Sequence, residues 1–142
     1  MTKKELQLAG AMLYVCEGTK LRKDKRGINT YFYSIELTNS DPKIIELFMK
    51  FLCEIIRPNR EKIKGQLFMY SDQNGKEQME FWSKTSGIPI YNFQKNIIFA
   101  AKTGKFKPSP HGTFKIRYTN KVDFLRLQAI IDDAWRGARA VE

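Results

Sequence analysis

The sequence predicts a single α+β domain, residues 1–142, in which helices cover one face of a mostly antiparallel sheet. Amphipathic helical patterns and short alternating strands follow one another along the chain, a mixture typical of this class. We find no internal repeat, low-complexity tract or interdomain linker. With 142 residues, of which 42% are hydrophobic, the chain is also long enough to bury one substantial core.

The N-terminal region predicts a helix over residues 3–17. Thr2 and Glu5 have the spacing of a capping box, and Gly18 follows the last helical residue. A short strand is expected within residues 19–23 and a turn at 24–27. The apolar stripe expected to face the core consists of Leu6, Leu8, Ala9, Met12, Leu13 and Cys16.

The clearest strand pattern spans residues 30–38. Its inward residues are expected to be Tyr31, Tyr33, Ile35 and Leu37, and Phe32 is an aromatic exception on the polar side. A helix to about residue 56 should follow, because Asp41 is a good N-cap and Pro42 a good first helical residue.

The second half of the chain continues the alternation of strands and helices. We expect a strand over residues 62–70, a short helix over 76–86 that carries Phe81 and Trp82, and a strand over 113–119 before a last helix that begins after Asn120. Residues 91–112 are predicted to be irregular and basic. Because the apolar residues of the strands share one face, the outward residues should form an open, basic sheet face.

Charge and composition limit the classes of function. Lys and Arg number 25 against 15 acidic residues, for a formal net charge of +10, which suits nucleic acid or an anionic membrane surface. Nucleic acid is favoured, since no apolar run approaches the roughly 18 residues of a membrane span and the basic residues do not line one amphipathic helix. Without a signal peptide or a span, an intracellular, cytoplasmic protein is expected.

The cysteine and histidine content excludes other kinds of site. Cys16 and Cys53 lie in apolar helical patterns and are expected to be buried thiols of a reducing compartment. Because there is no C-x-x-C motif, a cysteine zinc cluster is excluded. His111 is the only histidine, which argues against a histidine-based triad.

The end of the first helix carries the most unusual residue. Glu17 places a carboxylate at the C-terminal end of a helix, where the partial negative charge favours Lys or Arg instead. A divalent cation would resolve this conflict, because carboxylate and carbonyl oxygens both suit a hard metal. The alternative is an exposed Glu17 paired with a nearby lysine such as Lys20.

Three stretches together resemble the LAGLIDADG homing endonuclease family. They are Ala11-Met12-Leu13-Tyr14-Val15-Cys16-Glu17-Gly18, Ile35-Glu36-Leu37-Thr38-Asn39-Ser40-Asp41-Pro42 and Phe114-Lys115-Ile116-Arg117-Tyr118-Thr119. The resemblance implies an αββαββα domain with a saddle-shaped antiparallel sheet on DNA, to which the short helix between the third and fourth strands would be an addition. Since only one motif is present, it also implies a homodimer joined through the N-terminal helix.

The resemblance further implies a site. Glu17 falls on the metal-binding acid and the carbonyl of Cys16 on a backbone ligand, with Mg²⁺ or Mn²⁺ as the metal. Asn39 falls where the family positions water, and Lys43 lies near a position that is basic in some members. Two positions depart from the family, since Met12 replaces the close-packing glycine and Val15 the first acid. The family's essential lysine has no secure counterpart, and Arg136 and Arg139 are only candidates.

We therefore expect a site-specific double-strand DNA endonuclease that hydrolyses phosphodiester bonds on a nearly palindromic site. The alternative is a LAGLIDADG-like protein that binds DNA or RNA without cutting it, as a regulator or intron maturase. A generic RNA-binding domain is disfavoured because no RRM or KH signature is present. Lysines should meet phosphates, while Arg22, Gln66 and Arg117 can read base edges. For Glu36, contact with cytosine and pairing with a neighbouring lysine both remain open, and residues 102–107 are either a solvated loop or a clamp on DNA.

The residues expected to contact DNA are Lys20, Arg22, Lys23, Lys25, Arg26, Thr30, Phe32, Ser34, Glu36, Thr38, Lys62, Lys64, Gln66, Lys115 and Arg117.

Overall fold

The computed structural model describes residues 1–28, 30–101 and 109–141, and within them the fold is mixed α+β, with four α-helices and two sheets. The helices are α1 (Lys3–Glu17), α2 (Pro42–Phe51), α3 (Gly75–Ser86) and α4 (Lys121–Arg139). The strands are β1 (Arg22–Lys23), β2 (Tyr31–Phe32), β3 (Ser34–Asn39), β4 (Lys64–Tyr70), β5 (Ile97–Phe99) and β6 (Thr113–Thr119). This confirms the α+β class.

The larger sheet has the strand order β3-β6-β4-β5, and β1 and β2 form a separate antiparallel ribbon. Strand β6 is antiparallel to both of its neighbours, whereas β5 runs parallel to β4. The register places Ile35 opposite Tyr118 and Leu67 opposite Phe114, so that the apolar residues of the three long strands share one face. This face is buried in the core, as the alternation in the sequence predicted.

Helix α1 has the predicted bounds and the predicted capping box, in which Thr2 and Glu5 bond to each other's backbone amides. Its buried stripe differs from the predicted one, since it consists of Leu6, Gly10, Ala11 and Tyr14, while Leu8 and Cys16 are exposed. Gly10 explains the shift: a Cβ there would lie 2.1 Å from the ring of Phe51, so the glycine lets α1 approach α2 closely. The stripe that holds Leu8, Met12 and Cys16 lies to one side of this contact.

Helix α2 begins as predicted, with Asp41 as the N-cap and Pro42 in its first turn. It does not continue as an α-helix to residue 56. The segment Leu52–Ile56 is a π-helical turn, and the chain leaves it through Arg57 in the left-handed conformation, with φ 57°. The turn buries Leu52, Ile55 and Ile56 in the core.

Helix α3 belongs to the core. Trp82 is fully buried, its ring stacks on Phe114 at 5.3 Å between centroids, and its indole N–H donates to the carbonyl of His111. The helix ends at Gly87, with φ +78°, where the sequence predicted its end. Trp82 therefore packs the helix against the sheet.

Three further expectations need correction. The strand predicted over residues 30–38 is interrupted at Tyr33, because β2 pairs with β1 whereas β3 pairs with β6. The Tyr33 carbonyl instead accepts a hydrogen bond from the amide of Asn120, and Tyr31 is 40% exposed rather than inward. Part of the segment predicted to be irregular forms β5, which pairs with β4 although Ile97, Ile98 and Phe99 show no apolar–polar alternation.

The thiols also differ from expectation. Cys16 is exposed, and Cys53 is only half-buried. Helix α4 begins directly after Asn120, as expected, and runs to Arg139. Among the described residues, no helix is both long and apolar enough to cross a bilayer.

Candidate nucleic-acid interface

The face of the larger sheet opposite the core carries polar and basic side chains in cross-strand register. Glu36 of β3 lies opposite Arg117 of β6, which in turn lies opposite Lys64 of β4. One step along, Lys115 lies opposite both Thr38 and Gln66. Because side chains alternate across a strand, all of these residues lie on the face away from the core. We call this surface the basic face.

Glu36 is the centre of an ion cluster on the basic face. Its carboxylate lies 2.9 Å from Arg22, 3.4 Å from Arg117 and 3.7 Å from Lys115, measured between nitrogen and oxygen. The Glu36 side chain is 3% exposed, whereas the side chains of Arg22, Arg117 and Lys115 are 52%, 31% and 20% exposed. Of the two alternatives for Glu36, the geometry shows pairing with its cationic neighbours, which stand between the carboxylate and the solvent.

The β1–β2 ribbon extends the basic face. The guanidinium groups of Arg22 and Arg26 both lie over the ring of Phe32, at 5.7 and 5.6 Å from its centroid. Phe32 is 38% exposed, so the outward aromatic residue that the sequence singled out is covered in part by two cations. Hydrogen bonds from Arg26 hold the pKa of Asp24 below its usual range and fix the turn of the ribbon.

Residues 93–95, which follow a single turn of 3-10 helix at Ile90–Asn92, border the other side of the basic face. Phe93 forms a parallel bridge with Gly65, and the amide of Gln94 donates to the Gly65 carbonyl. Gln94 then accepts a hydrogen bond from Arg117 at 3.0 Å, and the Lys95 carbonyl accepts one from Gln66 at 2.9 Å. Sequence reasoning missed both Gln94 and Lys95, because the segment has no periodicity that would place it beside a strand.

The remaining residues expected on DNA fall into three groups. Lys23, Lys25 and Thr30 are exposed on the ribbon or its turn, and Lys62 is exposed before β4. Thr38 is half-buried on the basic face. Ser34 is buried and shares a hydrogen bond with the Thr119 hydroxyl, so its side chain is already satisfied within the sheet. The basic stretch 102–107 lies outside the described residues.

Lys20 has a different position from the one expected. Its ammonium donates hydrogen bonds to the carbonyls of Tyr14, Val15 and Gly18, at 2.9, 2.7 and 3.0 Å. A lysine near a helix C-terminus can donate hydrogen bonds to the free carbonyls there, and its positive charge interacts favourably with the negative end of the helix dipole. The end of α1 therefore already holds a positive charge, the Lys20 ammonium. This ammonium bonds to backbone carbonyls and does not pair with the Glu17 carboxylate.

Glu17 itself is exposed at the end of α1, and no described residue forms a hydrogen bond or ion pair with its side chain. The Cys16 carbonyl likewise receives no hydrogen bond from the described residues, because Lys20 bonds to other carbonyls. One free carboxylate and one free carbonyl fit Mg²⁺, which is commonly held by one or two carboxylates with substrate phosphate. Within the described ranges, no three His, Cys, Asp or Glu residues cluster in a way that could hold a metal within one copy of the chain.

Asn39 and Lys43 lie at the turn between β3 and α2. The side-chain oxygen of Asn39 accepts a hydrogen bond from the Asp41 amide at 2.8 Å, which is the geometry of an Asx turn. Lys43 donates its own amide to the Asp41 carboxylate, and its side chain is exposed. Gly18 bridges to Leu37, two residues before Asn39, so the end of α1 and the end of β3 are adjacent.

The fold and this surface define an α+β domain whose sheet presents cations and polar groups on one face. No protein-family model matches the chain, and neither a curated protein nor a solved structure is significantly similar to it. The resemblance to the LAGLIDADG family therefore remains a prediction from the residues quoted above.

Proposed function

We propose that this protein binds double-stranded DNA through the basic face and that it is a site-specific endonuclease of the LAGLIDADG type. The observation that carries the proposal is the basic face itself, on which Lys64, Lys115 and Arg117 stand in cross-strand register and stay partly exposed. Arg22 of the adjoining ribbon pairs with Glu36 at its edge and is also partly exposed. Phosphate contacts from such cations supply most of the affinity for DNA, and arginine or glutamine can read base edges in the major groove.

The cleavage step is assigned to Glu17 in a homodimer. Two copies of the chain would join through α1, along the stripe of Leu8, Met12 and Cys16, of which Leu8 is 52% exposed. Each copy would then bring one Glu17 carboxylate and one Cys16 carbonyl to a divalent cation beside the scissile phosphate. A bound Mg²⁺ or Mn²⁺ would supply an activated water and stabilise the leaving oxygen. Asn39 would orient that water, and the basic face would fix the register of the duplex.

The second candidate is a LAGLIDADG-like protein that binds DNA or RNA but does not cut it. A specific observation favours it: the Lys20 ammonium already provides the positive charge that the end of α1 attracts. In this candidate Glu17 is a solvated residue. The replacement of the family's glycine by Met12 would also keep two α1 helices further apart, and with them the two carboxylates.

Selection from a randomised duplex library, followed by cleavage assays, separates the two candidates. We expect the wild type to enrich a nearly palindromic site and to cut it with Mg²⁺ or Mn²⁺. Glu17→Gln should abolish cleavage and leave DNA affinity nearly unchanged. Glu46→Gln is the matched control, because Glu46 is an exposed residue of α2 with the same change of charge. A wild type that binds its selected site but never nicks it would favour the second candidate.

The contribution of the basic face is tested by salt dependence. Lys115→Ala should weaken binding and lower the slope of log K against log salt by about one counterion, since each phosphate contact releases roughly one. Lys76→Ala, which removes an exposed lysine of α3, should change neither quantity. An unchanged slope in the Lys115 variant would remove that phosphate contact from the proposal.

The homodimer is tested by solution mass and by crosslinking. Because Cys16 is exposed and adjacent to Glu17, a short bis-maleimide should link two copies through this residue. The experiment uses Cys53→Ser as the background, so that Cys16 is the only thiol, and Cys16→Ser as the control. A monomeric mass on the selected duplex, with no crosslinked species, would contradict the dimer.

A further inference from the structure

The position of Glu36 is not explained by affinity for DNA. A carboxylate at the centre of a surface that binds a polyanion opposes the phosphates and offsets one of the cations beside it. Its side chain is also 3% exposed, and burying a charge is costly unless good partners surround it. Glu36 has three such partners, Arg22 of β1 and Lys115 and Arg117 of β6. We therefore look for its role in how it positions these cations.

The first of these partners is Arg22, which the carboxylate holds from one side. The Nη2 atom of Arg22 donates to the Glu36 carboxylate at 2.9 Å, and its guanidinium lies over Phe32 at 5.7 Å. Arg22 is nevertheless 52% exposed, and apart from the bond that Nη2 donates to Glu36 its guanidinium forms no hydrogen bond with a described residue. The guanidinium is thus tethered through one hydrogen bond from Nη2, while its remaining N–H groups stay available in a half-exposed side chain.

The two partners on β6 are held differently. Arg117 donates to Gln94 at 3.0 Å and to Glu36 at 3.5 Å, so both of its terminal nitrogens have partners. The Lys115 ammonium lies over the ring of Phe68 at 5.4 Å. Both side chains are less exposed than Arg22. They hold the carboxylate against β6, and the carboxylate in turn anchors Arg22 and the β1–β2 ribbon.

From these contacts we infer that Glu36 is a positioning residue that sets base specificity: it holds the Arg22 guanidinium with free donors presented to a guanine in the major groove. Guanine offers two acceptors there, O6 and N7, and arginine is their commonest partner. A fixed guanidinium loses less conformational freedom on binding than a free one. This inference rests on the proposed function, since it specifies how the same surface reads sequence.

The test compares selected sites and affinities for Glu36→Gln and the wild type. In the variant we expect the preference for guanine at one position of each half-site to fall about tenfold, within the range for a good bidentate contact. Affinity for a non-specific duplex should stay the same or increase, because the variant has one negative charge fewer. Glu46→Gln, with the same change of charge on α2, should leave the selected site unchanged.

A double-mutant cycle ties the effect to Arg22. Arg22→Gln should lose the same guanine preference, and adding Glu36→Gln to it should cost no further discrimination, because the two residues act as one unit. Arg22→Lys provides a check that leaves Glu36 itself unchanged. It keeps a cation on the ribbon and should retain non-specific affinity while it loses the guanine preference.

Distinct outcomes overturn the inference. If the wild type binds no duplex, the proposed function fails and the inference fails with it. If the wild type selects a site and Glu36→Gln keeps the same guanine preference, the inference alone is wrong. Equal losses of specific and non-specific affinity in a variant that still folds, as judged by circular dichroism, would make Glu36 a structural residue only.

Discussion

The Lys20 ammonium donates a 2.7 Å hydrogen bond to the carbonyl oxygen of Val15 in the last turn of α1. The chain reverses after Gly18, whose amide bonds to Tyr14, and this reversal brings the lysine back over the helix end. The helix dipole is therefore balanced by a residue that follows the helix by three positions. The Glu17 carboxylate is tolerated beside the Lys20 ammonium. The role proposed for Glu17 requires a divalent cation and DNA to approach this helix end.

Lys20→Ala should destabilise the protein. The substitution removes the cation from three carbonyls, and we expect the free energy of unfolding to fall by about 1 kcal/mol. Urea denaturation at low salt measures the change. Lys23→Ala is the control, since Lys23 is an exposed residue of β1 and its loss should change stability by no more than about 0.5 kcal/mol. Equal effects of the two substitutions would show that Lys20 contributes only its charge to the surface.

Gly10→Ala should destabilise the protein although alanine is the better helix former. The new Cβ would lie 2.1 Å from the Phe51 ring, so α1 and α2 must move apart at a cost of about 1–3 kcal/mol. Gly137→Ala in α4 should instead stabilise by up to about 1 kcal/mol, because a Cβ there meets nothing within 4 Å. Thermal unfolding of both variants decides the matter. A Gly10 variant as stable as the wild type would mean that the two helices are further apart than described.

Trp82→Phe should cost about 2 kcal/mol of stability. The smaller ring leaves a void beside Phe114 and removes the N–H that donates to the His111 carbonyl at 2.6 Å. Trp135→Phe is the matched control because Trp135 is 45% exposed, and it should have little effect. Fluorescence gives an independent reading, since the Trp82 emission should be the more blue-shifted of the two. Similar losses in both variants would contradict the burial of α3 against the sheet.

Local patterns were sufficient to predict the α+β class and most of the helices and strands. The caps at Thr2, Asp41 and Asn120, the alternation in β4 and β6 and the stop at Gly87 all involve residues close in sequence, where backbone hydrogen bonding decides the outcome. The π-helical turn after α2 and strand β5 were missed, because they depend on packing and pairing with distant segments. The apolar spacing of residues 52–56 does not distinguish an α-helical from a π-helical turn, and residues 97–99 show no alternation.

The candidate site was predictable in its location and not in its contacts. Alternation placed Glu36 on the outward face of its strand, which is correct, but its burial depends on Arg22, Lys115 and Arg117 arriving from two other strands. Lys20 was expected to face outward because a strand pattern surrounds it. The hydrogen bonds that it forms with the helix end follow from a chain reversal that alternation does not encode.

The unfolding free energy should fall between pH 10 and 12, and Tyr14 should account for a defined part of the decrease. Burial raises the pKa of Tyr14 to about 12 from its ordinary value of 10.0, an effect that the hydrogen bond from the Glu36 amide opposes. Because the folded state has the higher pKa, the stabilisation is complete below pH 10 and is lost as the pH rises towards 12.

For Tyr14→Phe we expect a lower stability at neutral pH, since the hydroxyl donates to Thr19 and accepts from Glu36, and a pH-dependent decrease smaller by about 2 kcal/mol. Urea titrations at several pH values between 9 and 12 measure both quantities. Tyr91→Phe is the control, because Tyr91 is 85% exposed and should leave the pH profile unchanged. If Tyr14→Phe showed the wild-type profile, the alkaline loss of stability would arise from other groups. Tyr118 is one of them, because burial and a hydrogen bond with Asp123 also raise its pKa to about 12.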